Sequence, residues 1–77
     1  MEYSIRELAD LAGISTRTLR YYDEINLVKP NRVNENGVRF YGKKELDLLQ
    51  QILFYREQDL SLDIIRQIEV ILQSTGM

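Results

Sequence analysis

The chain has 77 residues, 44% apolar and 29% charged, which is room for one small globular domain rather than a disordered segment. It contains no cysteine and no histidine, which excludes disulfides, thiolate and imidazole metal sites, and the usual general base near neutral pH. The formal net charge is −2, but residues 15–44 hold seven basic and three acidic side chains, whereas residues 45–77 hold two basic and six acidic ones.

Phosphate responds to local potential, so the basic segment remains compatible with a nucleic-acid partner despite the negative total. No apolar run approaches the roughly 20 residues that span a bilayer. The opening Met1-Glu2-Tyr3-Ser4 lacks the basic and apolar stretches of a signal peptide. Without disulfides the cytoplasm is the expected compartment, with no membrane partner.

The first helix starts at a capping box, Ser4-Ile5-Arg6-Glu7, and carries an apolar face of Ile5, Leu8, Ala9 and Ala12. Gly13 closes it, and Ser15 is placed to cap a second helix over about Thr16–Asp23. In that helix only Leu19 and Tyr22 suit burial, which leaves Thr16, Arg17, Thr18, Arg20 and Tyr21 on the outside. Two helices joined by a tight glycine turn make a helix-turn-helix candidate.

Ile25 to Pro30 reads as an irregular connection, extended before the proline. Asn34-Glu35-Asn36-Gly37 between Arg32-Val33 and Val38-Arg39-Phe40-Tyr41 predicts a β-hairpin. Alternation sets Val38 and Phe40 on one face and Arg39 and Tyr41 on the other, with Phe40 expected in the core. So short a hairpin must lean on the helices, as a wing does.

Gly42-Lys43-Lys44-Glu45 opens a third helix with half a capping box, striped by Leu46, Leu49, Ile52 and Leu53 and ending near Gln58-Asp59. Ser61 caps a fourth, whose buried side is predicted to be Leu62, Ile65, Ile68, Ile71 and Leu72, before a loose end at Ser74-Thr75-Gly76. The fold class is mainly α: a two-helix motif, a hairpin wing and two further helices.

The chemistry points away from an enzyme. There is no glycine-rich phosphate loop and no nucleophile–histidine set, and carboxylate pairs such as Asp23-Glu24 read as solvated charge. No metal or other cofactor is expected. A double-stranded DNA interface is better supported. The start of the second helix of such a motif faces base edges in the major groove, where the arginine fork pairs with guanine. Thr16, Arg17, Thr18, Arg20 and Tyr21 are the candidates there, although Arg20 could instead pair with Asp23 or Glu24. The wing offers Asn36, the Gly37 amide and Arg39, and Lys43 and Lys44 follow at a helix start that attracts phosphate. Arg17 is expected to read a base and Arg39 to contact the backbone whatever the sequence.

Tyr3-Ser4-Ile5-Arg6-Glu7-Leu8-Ala9, Ala12-Gly13-Ile14-Ser15 and Arg17-Thr18-Leu19-Arg20-Tyr21-Tyr22-Asp23 resemble the N-terminal domain of the MerR family of bacterial transcription regulators. The likeness continues through Leu27-Val28-Lys29-Pro30, Asn36-Gly37-Val38-Arg39-Phe40-Tyr41 and Leu60-Ser61-Leu62-Asp63-Ile64. It implies a winged-helix domain that binds pseudo-palindromic promoter DNA as a homodimer. Bending and untwisting that DNA lets RNA polymerase, an indirect partner, engage an over-long promoter.

By position, Ser15, Thr16, Arg17 and Arg20 match the family's recognition helix, Tyr21 a backbone-contacting tyrosine, and Gly37, Arg39 and Tyr41 the wing. Three positions depart from the pattern: Val38 where tyrosine is frequent, Gly42 where serine is, and Asp59 where glycine is. Residues 1–77 are expected to form one such domain, without the family's long dimerisation helix and effector-binding region. An excisionase-like DNA bender and a protein-docking module without DNA are the alternative readings.

Overall fold

Ser4 sets the N-terminal geometry with two reciprocal bonds: its Oγ accepts from the Glu7 amide at 3.1 Å, and its own amide donates to Glu7 Oε1 at 2.8 Å. This capping box satisfies two of the N–H groups that a helix start leaves without partners. The structure is a computed structural model and describes residues 1–74. Its elements are β1 (Tyr3–Ser4), α1 (Ile5–Ala12), α2 (Thr16–Glu24), β2 (Arg32–Val33), β3 (Arg39–Tyr41), α3 (Lys43–Glu57) and α4 (Leu62–Ser74).

Gly13 ends α1 in the left-handed conformation, φ 72°, and the Ile14 amide returns to the Ala9 carbonyl at 3.0 Å. Only glycine adopts that backbone without steric penalty, so the turn into α2 depends on it. Ser15 caps α2, its Oγ accepting from the Thr18 amide at 3.1 Å. Ser61 does the same for α4, accepting from the Ile64 amide at 3.2 Å. Glu45 reaches back to the Gly42 amide at 2.6 Å, the half box expected at the start of α3. Asp59 stands at φ 61°, so the turn before α4 keeps a left-handed residue even though its side chain is not glycine. Aspartate is among the side chains that tolerate this region best.

The strands form one antiparallel sheet in the order β1-β3-β2. Tyr3 pairs with Tyr41 and Ser4 with Phe40 on one side of β3; Arg32 pairs with Phe40 and Val33 with Arg39 on the other. The hairpin β2–β3 is the predicted wing. The strand β1 was not anticipated; it anchors the wing to the start of α1.

The core is Leu8, Ala9, Leu19, Tyr22, Leu27, Val28, Tyr41, Leu49, Ile52 and Ile65. Burying such a side chain contributes about 1.5–3 kcal/mol. Leu27 and Val28, in the connection read as irregular, are buried because the Leu27 and Val28 amides both bond the Tyr22 carbonyl, at 2.8 and 3.2 Å, and curl the chain under α2.

Three expectations are corrected. First, the alternation along β3 holds, but its faces are exchanged. Tyr41 is fully buried, while Phe40 is only half-buried and lies under the Arg32 guanidinium, 4.1 Å from the ring centroid. Arg32 is held there by a bidentate pair with Glu2, at 2.8 and 3.0 Å, and each partner's pKa moves toward its charged form through that contact. Second, Ile71 and Leu72 are exposed, and the buried side of α4 is carried by Ile65 with Leu62 and Ile68 half-buried. Third, Ser74 belongs to α4 rather than to a loose end, and Thr75-Gly76 lie outside the described residues.

The side chain of Arg66 on α4 donates to the carbonyl of Ile25, the C-terminal cap of α2. A cation at a helix C-terminus is favoured by the unsatisfied carbonyls there. This bond fastens the fourth helix to the back of the second.

Candidate nucleic-acid interface

Helix α2 presents Arg17, Arg20 and Tyr21 outward, with Tyr21 49% exposed, while Leu19 and Tyr22 turn into the core. Positions 17, 20 and 21 are three and four residues apart and so share one helical face. Among the described residues neither Arg17 nor Arg20 takes part in a salt bridge. The open question over Arg20 is thereby answered: its neighbour Asp23 is engaged elsewhere. Ser15 and Thr18 hydroxyls lie 3.0 Å apart and Ser15 also caps the helix, so its hydroxyl is already engaged in forming the N-terminus. Thr16 is half-buried in the first turn.

The wing tip is organised by Asn34. Its Oδ1 accepts from the Asn36 amide at 2.9 Å and the Val38 amide at 3.0 Å, while its backbone carbonyl accepts from the Gly37 amide at 3.0 Å. The Gly37 amide is therefore not free for phosphate, contrary to the sequence reading. Gly37 instead supplies the positive φ, 79°, that closes the turn, and nothing crowds it. Asn36 stays exposed at the tip.

Tyr41, matched to the wing by the resemblance, is fully buried, with its hydroxyl also buried and without a hydrogen-bond partner. Burial pushes this phenol above its ordinary pKa, and the Asp23 carboxylate adds to the rise.

Arg39 shares the inward face with Tyr41 and meets α2 there. Its Nε donates to Asp23 Oδ2 at 2.9 Å, with the Arg39 side chain 30% and the Asp23 side chain 16% exposed. Lys29 Nζ donates to Asp23 Oδ1 at 3.2 Å and to Asn26 Oδ1 at 3.0 Å. Burial alone would raise the Asp23 carboxyl, but the hydrogen bonds from Arg39 and Lys29 outweigh it and hold its pKa below the ordinary carboxylate value. Asp23 and Lys29 were not among the sequence candidates. The signal that could have found Asp23 is its place at the end of the arginine-bearing helix, but no local spacing links it to Arg39.

Lys43 pairs with Asp47 one turn on, 3.0 Å away and well exposed, a contact that adds little stability and is easily exchanged. Lys44 is exposed beside it. The structure thus brings Arg17, Arg20 and Tyr21 together on one face of α2, leaves Asn36 and Lys44 exposed, and buries Tyr41. Among the described residues no group of acidic side chains is arranged to hold a metal, and no helix is long and apolar enough to cross a membrane.

Two helices joined at the Gly13 turn, the second capped and with exposed arginines, together with a β-hairpin and two further helices, define a winged helix-turn-helix domain. The chain belongs to the MerR family: residues 3–69 match the family described as MerR HTH family regulatory protein. It is 40% identical over 67 residues to the HTH-type transcriptional activator mta of Bacillus subtilis, covering 87% of this chain and 26% of that protein.

Among solved structures it is similar to a MerR family transcriptional regulator from Bacillus cereus, with a TM-score of 0.84 at 38% identity over 96% of this chain and 61% of that one. It is also similar to HiNmlR, a MerR family regulator lacking the sensor domain and bound to promoter DNA, with a TM-score of 0.84 at 28% identity over 100% of this chain and 58% of that one. The chain spans about a quarter of the length of the curated relatives it matches first.

Proposed function

We propose that this chain is the promoter-binding domain of a bacterial transcription regulator, reading duplex DNA with α2 and gripping its backbone around the wing. The observation that carries this is the shared outward face of Arg17, Arg20 and Tyr21 at the capped start of a helix that the core holds rigid. Arg17 lies in the first turn, where side chains reach base edges, and Tyr21 has a free phenol suited to a phosphate.

The domain acts as one half of a homodimer on a pseudo-palindromic promoter, and it controls transcription by deforming the DNA so that polymerase can engage it. Exposed Ile64 and Val70 on α4 offer apolar surface for a further contact. Such a regulator works in the cytoplasm and needs no cofactor within this domain. The relatives named as regulators and activators favour this reading over an architectural bender or a docking module.

The test is selection of bound duplexes from a random pool, followed by binding of variants to the selected duplex and a scrambled one. Arg17→Ala is expected to lose about 1–3 kcal/mol on the selected duplex and to flatten the preference at one base pair. An equal loss on both duplexes would remove Arg17 from base reading. Salt-insensitive binding, or none, would remove the DNA-binding function itself.

A further inference from the structure

Asp23 ends the reading helix and gathers two cations from elsewhere in the chain: Arg39 from the wing, 16 residues on, and Lys29 from the connection between them. Both cations lie where the wing meets α2, beside the surface that faces DNA in the reading above. Each is a natural phosphate ligand, yet each is bonded to one carboxylate. We propose that Asp23 is a positioning residue for DNA discrimination: it fastens the wing to the recognition helix through Arg39 and holds Arg39 and Lys29 off the phosphates, which limits sequence-independent affinity.

The reasoning is electrostatic as well as geometric. Two cations and one anion present a net single positive charge, and the anion is the least exposed of the three. Non-specific affinity grows with the number of phosphates neutralised, whereas base reading depends on the angle at which the helix enters the groove. A carboxylate at this junction lowers the first quantity and secures the second. Tyr41, two residues along the same strand, is fully buried and pairs with Tyr3, which anchors the strand that carries Arg39. The inference rests on the DNA-binding reading, and its test separates the two.

The wild-type chain, Asp23→Asn, Asp23→Glu and Arg39→Gln are titrated across a salt series against the duplex recovered by selection and a scrambled one. Circular dichroism and Tm verify folding. Asp23→Asn is expected to tighten binding to the scrambled duplex, to steepen its log–log salt slope by about 0.9 for each released cation, and to shrink the ratio of selected to scrambled affinity. Asp23→Glu keeps the wild-type slope, because the charge remains. Arg39→Gln reduces the affinity ratio while leaving the scrambled-duplex slope nearly unchanged, and this variant decides the matter should Asp23→Asn fail to fold.

Wild-type slope and ratio in a folded Asp23→Asn overturn the proposal. So does a fall of about 0.9 in slope for Arg39→Gln, the mark of an ordinary phosphate contact. If the wild type shows no salt-dependent duplex binding, the DNA-binding reading falls and this inference with it.

Discussion

Tyr41 shows how much a single side chain can be redefined by its neighbours. Its ring fills the space between β3 and the helices, and its hydroxyl is carried into that space without a partner. A buried hydroxyl that makes no hydrogen bond retains its desolvation penalty, about 1–3 kcal/mol. Tyr41→Phe removes the hydroxyl and keeps the ring. The expected outcome is a Tm equal to or above that of the wild type, with unchanged affinity for duplex DNA. A thermal melt and one binding isotherm check both halves, and a loss of affinity would return the hydroxyl to the interface. Glu69 has a similar character: one carboxyl oxygen is buried without a partner, and burial raises its pKa. Tyr21 is the opposite case, with its phenol in solvent on the arginine-bearing face of α2.

Among the elements, the helix starts are the most locally determined features. Ser4, Ser15 and Ser61 each accept from the amide three residues on, at 3.1, 3.1 and 3.2 Å. Ser4 has an additional role, because it also lies in β1 and pairs with Phe40 of the wing. Ser4→Ala is therefore expected to destabilise the domain by about 0.5–2 kcal/mol, the usual range for a lost N-cap. Urea denaturation measures this directly, and a change below that range would mean that the Glu7 half of the box is sufficient. The wing is held at both edges: β1 pairs along one side of β3, and Asp23 binds Arg39 from beneath. Arg32 closes the outer face over Phe40 while bonding Glu2, 30 residues earlier.

At the scale of the whole molecule, charge is unevenly divided along the chain. The arginine-bearing helix and the wing lie in the basic segment, and the acidic excess lies in residues 45–77, where six acidic side chains face two basic ones. A phosphate surface attracts the basic segment and repels the acidic one, which favours productive encounter. A single domain of this size gains nothing from a second half-site. Joining two copies through a dimerising coiled coil is expected to raise apparent affinity for a two-site duplex by about 10²–10⁴, and to leave affinity for a half-site unchanged. Titrating both duplexes with the single and the joined forms tests this. Equal affinity of the two forms for the two-site duplex would show that the domains do not engage together.

What the sequence by itself determined was whatever depends on near neighbours. The serine caps, the Gly13 turn, the Asn-Gly hairpin and the inward Leu19 and Tyr22 all follow from spacings of a few residues, and the structure has each of them. The exposed arginines of α2 were legible for the same reason, since a helix with two buried positions must turn the rest outward. Period-two alternation likewise placed Arg39 and Tyr41 on one face of β3, but it carries no sign, and both faces offered an aromatic ring. Only tertiary packing chose Tyr41 for the core and left Phe40 to Arg32. The tertiary structure also decided the partners of Asp23. Arg20 lies within one helical turn of it, yet the carboxylate bonds Arg39 from 16 residues away, because the fold brings that guanidinium to the end of α2 in a site partly shielded from solvent. Local spacing sets which side chains can meet along an element; the burial of whole faces against one another sets which of them do.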